Sequence, residues 1–199
     1  MCYPRDVGIL LFHEAEVLDF AGPFEVFSIT ELAERKEKAF RVKTVSHYGG
    51  LIKARNGLIV KSYYSFETAP LFDILIVPGG YGAEEIEIHN SDLIQWLQEQ
   101  STKVELLASV CTGAFLLAKA GLLDGLPATT HWMDIDRLET EFPDVTVVRN
   151  TKYVDAGHII TSGGISSGIQ MSLHIIRRWI SEEAALNTAK RLEYDLTGI

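Results

Sequence analysis

The stretch LLASVCTGAFLLAKAG, Leu106 to Gly121, changes from a strand pattern to a helix pattern at a single cysteine, Cys111. Residues 104–110 are short, apolar and partly β-branched, as a strand covered on both faces should be. From Thr112 onward the residues are good helix formers. Leu116, Leu117 and Ala120 mark one side of that helix, and Gly121 stands where a left-handed terminal residue is expected. Cys111 is therefore expected on the turn between them. Unpaired N–H groups and the positive end of the helix dipole favour a thiolate there, which makes Cys111 a candidate nucleophile. A lone cysteine also serves as a small core residue. Its position at a strand-to-helix junction, where open α/β sheets place ligands, argues for chemistry.

The rest of the chain repeats the same alternation. Residues 7–12 form a continuous apolar run, read as a first buried strand, and a helix is predicted over 18–33 with Phe20, Phe24, Phe27 and Leu32 at helical spacing. Pro23 is tolerable there in the first turn or at a break. A half-exposed strand over 40–46 precedes a hairpin-like region punctuated by Gly49-Gly50 and Asn56-Gly57. Residues 74–77 are the cleanest short buried strand, and they end abruptly in Pro78-Gly79-Gly80-Tyr81-Gly82. Asn90 or Ser91 is expected to cap a helix to residue 99. Further strands are expected at 128–131, 145–148, 152–154 and 158–161, with a helix at 133–141. Two helices close the chain, one from Ser166 or Ser167 to residue 180 and one from 181 to about 194. Strands alternating with helices predict an α/β fold, a mostly parallel sheet with helices on both faces, in one domain over residues 1–199.

Composition narrows the partners. Hydrophobic residues make up 47% and charged residues 23% of the 199, as in an ordinary globular protein, and the net charge of −9 disfavours a nucleic-acid partner. The charges at 34–38 mix both signs and read as a solvated helix end. Two cysteines, Cys2 and Cys111, are too few for a disulfide framework and suit a reducing compartment. Cys2 is given no role. The absence of a signal peptide pattern or a membrane-spanning run makes cytoplasmic the expected location.

Carboxyl ends of parallel strands meet on one side of a sheet, so the loop after the first strand, the glycine loop at 78–82 and Cys111 should face one crevice. Among Glu14, Glu16 and Asp19, the last is flanked by Leu18 and Phe20, and is the one expected to be desolvated with a raised pKa. A helix N-cap is the competing role for Asp19, and the residues alone leave both open. Gly164-Ile165-Ser166-Ser167-Gly168 matches the G-x-S-x-G nucleophile elbow, but the order of acid and histidine after it is wrong for that architecture. It reads as a tight turn and helix start. The glycine loop completes no dinucleotide fingerprint, no Walker lysine follows, and the six histidines show no paired metal-ligand spacing. No metal or cofactor is expected. His131, beside Trp132 at the end of a predicted strand, reads either as a crevice residue or as a core histidine.

The ordered motifs VLDFAGPFEVF at 17–27, IVPGG at 76–80, SVCTGA at 109–114, ATTHW at 128–132 and TSGGISSGI at 161–169 resemble the ThiJ/PfpI superfamily, and more narrowly its isonitrile hydratase branch. The resemblance implies a flavodoxin-like, class I glutamine amidotransferase-like fold with Cys111 as nucleophile at a strained elbow and Asp19 as the carboxyl group beside its sulfur. It further implies that backbone N–H groups of Gly80 and Thr112 line an anion pocket, with Gly79, Tyr81, the Thr112 hydroxyl and His131 nearby, in a homodimer that needs no metal. Protease-like members carry histidine after the nucleophile, where this chain has Thr112, and glyoxalase-like members usually carry glutamate where Asp19 stands. Related sequences occur as the sensor half of transcription regulators, and no room is expected here for a helix-turn-helix after the last helices.

These readings converge on hydration of an organic isonitrile to an N-substituted formamide, with Phe20, Tyr81 and Trp132 as an apolar wall for the small-molecule substrate. The rivals are a cysteine-based redox or electrophile sensor, and an enzyme acting on small dicarbonyls.

Overall fold

A computed structural model describes residues 4–32 and 37–195. Cys2 and most of the charged run at 34–38 lie outside the described residues, as does the expected end of the first helix at residue 33. The elements, in order, are β1 (Arg5–Leu10), α1 (Val17–Ile29), β2 (Phe40–Ser46), β3 (Gly50–Lys53), β4 (Ile59–Ser62), β5 (Tyr64–Ser65), β6 (Ile74–Val77), α2 (Ser91–Ser101), β7 (Leu106–Val110) and α3 (Gly113–Lys119). They continue with β8 (Pro127–Ala128), α4 (Ile135–Glu141), β9 (Thr146–Val147), β10 (Tyr153–Asp155), β11 (Ile159–Ser162), α5 (Ser167–Trp179) and α6 (Glu182–Arg191).

The main sheet has seven strands in the order β10-β11-β7-β6-β1-β2-β5. All neighbours are parallel except β10 and β11. The apolar runs fall on its centre: β6 and β7 are buried at every residue, and Ile9, Leu10, Leu75, Ile76, Leu106 and Leu107 are fully enclosed. Strands covered on both faces require this continuity of apolar residues. Helices α1, α5 and α6 pack together in one layer and α2 and α3 in another, giving the expected mostly parallel α/β architecture. Connections from β1 lead to β2 on one side, whereas β6 lies on the other, so the crevice opens between the ends of β1 and β6.

Several local expectations are met through identifiable bonds. Asn90 caps α2 by accepting from the Leu93 N–H at 3.3 Å, and Ser181 caps α6 by accepting from Ala184 N–H at 3.1 Å. Asn56 and Gly57, both at positive φ, turn the β3–β4 hairpin. Other expectations need correction. Pro23 sits inside α1, beyond its first turn, and the bond its missing N–H would make is the one to the Asp19 carbonyl. The strand expected at 128–131 is two residues long, because the Thr129 N–H donates to the Thr161 side chain at 2.8 Å and the Thr130 hydroxyl to the Cys111 carbonyl at 2.9 Å. Side-chain partners there replace a ladder.

The glycine loop is pressed against the start of α3. A methyl group on Gly113 would meet the carbonyl oxygens of Val77 and Pro78, the latter at 2.8 Å. Neither is a flexible side chain. Gly113→Ala is therefore expected to lower the free energy of unfolding by about 1–3 kcal/mol, the range for overpacking, as read by urea denaturation. An unchanged unfolding midpoint would mean that the loop yields freely.

Candidate active site

Cys111 adopts φ 57, a left-handed conformation that costs a non-glycine residue about 1–2 kcal/mol. Both sides of the residue are tied down. Its N–H donates to the carbonyls of Ser162 (3.1 Å) and Gly163 (3.2 Å), and its carbonyl accepts from the Thr130 hydroxyl. β11 and the loop after β8 thus hold the elbow in place, as a strained residue requires.

Asp19, on the first turn of α1, is fully buried and does not cap its own helix. Its carboxyl reaches across the crevice: Oδ2 accepts from the Gly79 N–H at 3.1 Å, Oδ1 accepts from the Ile165 N–H at 3.2 Å, and the Cys111 thiol adds a third hydrogen bond. Removal from water dominates and raises the pKa from 3.8 to about 7; Glu16 adds to the rise, while the two backbone donors and the thiol oppose it. Glu14 and Glu16 also serve the site through their backbones. Glu14 stands at φ 59 and accepts from the Gly82 N–H, and the Glu16 N–H donates to the Gly79 carbonyl at 2.9 Å.

The expectation of a stabilised thiolate does not hold in the resting site. Burial pushes the Cys111 thiol above its ordinary pKa and the Asp19 charge pushes it further; the Thr112 N–H alone among the principal influences favours the anion. Asp134 and Glu84 add negative charge nearby. α3 is just seven residues long, so its dipole is small against the loss of solvation. Each group acts on the other, since the Asp19 charge disfavours a Cys111 thiolate.

The remaining sequence-predicted residues divide. Gly79 leaves no space for a side chain, since a Cβ would lie 2.5 Å from the Thr112 nitrogen and 2.9 Å from Cys111 Cβ. Gly80, at φ +109, donates its N–H to Thr112 Oγ1 at 2.9 Å, so this donor is engaged within the protein rather than open to an anion. Thr112 is buried and acts as the clasp between the elbow and the glycine loop. Tyr81 is half exposed, with the Arg55 guanidinium 5.5 Å from its ring centre. His131 is fixed by Asp134 (Nδ1 to Oδ2, 3.3 Å) and lies against Gly164, one residue from the Asp19 donor Ile165. The apolar wall is not assembled as expected: Phe20 faces a separate groove with Val42, Val60 and Tyr63, because consecutive helical residues diverge, and Trp132 is 77% exposed. Sequence reading missed Ile165, Ser162 and Gly163 because their contributions are backbone groups. Ile165 at φ 54 is the turn that its flanking Gly164 and Gly168 announce. Ser166 and Ser167 begin α5, and His174 pairs with Asp155 at 2.7 Å, so no serine triad forms. Among the described residues no group of three or more His, Cys, Asp or Glu is arranged to hold a metal ion.

Residues 5–178 match the DJ-1/PfpI family, and the chain belongs to it. It is 30% identical over 188 residues to isonitrile hydratase of Pseudomonas putida, covering 94% of this chain and 78% of that protein. It is 28% identical over 192 residues to the HTH-type transcriptional regulator GbdR of Pseudomonas aeruginosa, covering 96% of this chain but 51% of the regulator, so the chain spans about half of that relative's length. A crystal structure of a ThiJ/PfpI family protein from Pseudomonas syringae superposes with a TM-score of 0.86 at 22% identity, over 97% of this chain and 76% of that one.

With a carboxyl that ionises near 3.8 when unfolded and near 7 when folded, the native state holds an extra proton between those values. The contribution of Asp19 to stability is therefore greatest below about pH 4, falls as pH rises to about 7 and is level above it. Asp19→Asn is expected to lack this slope. Its unfolding free energy relative to the unaltered protein should move in the variant's favour by up to about 4 kcal/mol between about pH 4 and about pH 8. A difference independent of pH would contradict a neutral buried Asp19.

Proposed function

We propose that this DJ-1/PfpI family member is a cysteine-dependent hydratase that converts small organic isonitriles to N-substituted formamides. The observation that carries the reading is the Asp19 carboxyl buried beside Cys111 and held there by the Gly79 and Ile165 N–H groups, where burial raises its pKa to about 7. The similarity to isonitrile hydratase over most of both chains supports it.

A single acid/base group suffices for the chemistry. With one proton shared between sulfur and carboxyl, the thiolate–carboxylic acid form holds a nucleophile and a proton donor side by side. Sulfur attacks the terminal isonitrile carbon, and Asp19 gives its proton to the same carbon, forming a thioimidate that links Cys111 to the substrate through a CH=N group. The carboxylate then takes a proton from water as the water oxygen adds to that carbon, and Asp19 passes this proton to nitrogen, leaving a tetrahedral adduct with O–H and N–H and an ionised carboxylate. Collapse of the tetrahedral adduct breaks the C–S bond, releases the formamide and returns a proton to the pair. The Gly79 and Ile165 N–H groups keep Asp19 oriented through both proton transfers. Thr112 holds the glycine loop against the elbow, and His131, Gly80 and Tyr81 border the crevice. The proposal further takes the enzyme to work as a cytoplasmic homodimer without a cofactor, in keeping with its scarce cysteines.

The similarity to a transcriptional regulator favours one other reading, in which Cys111 captures an electrophile once and signals. Turnover separates the two. Steady-state assays with cyclohexyl isocyanide are expected to give many formamide molecules per chain, none with Cys111→Ala, and a rate at least ~100-fold lower with Asp19→Asn. Because the productive form carries one proton fewer than the fully protonated pair, kcat/KM should rise with pH through about 7. Stoichiometric modification of Cys111 without turnover would support the sensor, and turnover of small dicarbonyls instead would redirect the assignment.

A further inference from the structure

Beside the elbow lies a cavity of about 810 Å³ whose walls do not include Cys111 or Asp19. Its lining contains two cationic side chains, Arg149 and Lys152, and no carboxylate, although the chain carries a net charge of −9. Arg149 is already engaged by Asp136 and Glu139, each at 2.7 Å. Lys152 has no ion pair among the described residues and contributes one uncompensated positive charge at the rim.

The lining is polar. Thr129 and Ser167 belong to it, and their side-chain hydroxyls make no hydrogen bond among the described residues, which leaves both available to a ligand. Above them the Trp132 indole is 77% exposed at the cavity edge, a large apolar face left uncovered. A cation, two open hydroxyls and an aromatic platform around one concavity match a small molecule with an anionic end and an apolar body.

We propose that this cavity binds a small organic monocarboxylate, with Lys152 as counter-charge, Thr129 and Ser167 donating to the carboxylate, and Trp132 covering the apolar portion. One free cation fits a single negative charge. The site excludes Cys111 and Asp19 but adjoins their crevice: His131 borders both, Gly163 and Ile165 line the cavity and also bond to Cys111 and Asp19, and Thr130 does the same through its hydroxyl. The inference stands whatever reaction Cys111 performs.

Benzoate and benzamide have nearly the same shape and differ in charge, which makes them suitable probes by isothermal titration calorimetry on the full chain. Benzoate is expected to bind saturably in the millimolar range or tighter, and benzamide at least ~10-fold more weakly, as loss of a charge-assisted contact implies. Lys152→Gln and Thr129→Val should each weaken benzoate several-fold, while Cys111→Ser should leave its affinity unchanged. Equal binding of the two probes, benzoate binding that Lys152→Gln leaves intact, or no saturable binding of benzoate at millimolar concentration would overturn the proposal. Circular dichroism of the variants separates a lost contact from a lost fold.

Discussion

A carboxyl group removed from water and still held by backbone donors is the interaction on which the site depends. Asp19 can be buried because α1 carries it to the Gly79 and Ile165 N–H groups, which come from loops on either side of the elbow. Neither donor is placed unless β6, β7 and β11 are in register, since Val77 pairs with Ser109 and Ser162 with Val110. The parallel sheet is therefore what makes a buried acid affordable, and the buried acid in turn fastens loops that no strand ladder joins.

Close approach is the second constraint. Cys111 turns through a conformation that side chains disfavour, and the space beside it is available because Gly79 and Gly113 have no side chains to fill it. Thr112 then closes the gap by accepting the Gly80 N–H. The glycine loop is thereby fastened to its neighbours rather than left as an open cradle: the N–H groups of Gly79, Gly80 and Gly82 go to Asp19, Thr112 and Glu14, which leaves fewer amides to meet charge on a bound molecule.

The sequence made the fold legible where burial was uniform. Residues 74–77 and 104–110 read as strands because they are short and mostly apolar, although the second strand begins at Leu106, after the charged Glu105, and the elbow is visible because a strand pattern stops at Cys111 without a turn-forming glycine on its N-terminal side. Asp19 was legible through its apolar flanks, although its partners were not: backbone N–H groups carry no residue signature, and Ile165 lies 146 positions away along the chain. Thr129 and Thr130 suit a strand because β-branched residues fit a pleated surface; the Thr130 hydroxyl instead bonds to the Cys111 carbonyl, which periodicity does not encode. The ionisation of Cys111 was misjudged for a related reason. A sequence shows a helix beginning, but the cost of burial depends on how much surrounds the sulfur.

That cost bears on the kind of electrophile the site suits. The charged groups that act most on Cys111 after burial include Asp19, Asp134 and Glu84, all carboxylates. An electrophile that develops an oxyanion as sulfur attacks would add negative charge to a region already hostile to it. An isonitrile differs, because the carbon that is attacked is the carbon that accepts the proton, and in the proposed reaction that proton comes from Asp19. Charge is then transferred from sulfur to carboxylate within one buried pair and does not accumulate on the substrate. Raised pKa values on both partners, unfavourable for a permanent thiolate, are what such a concerted exchange requires.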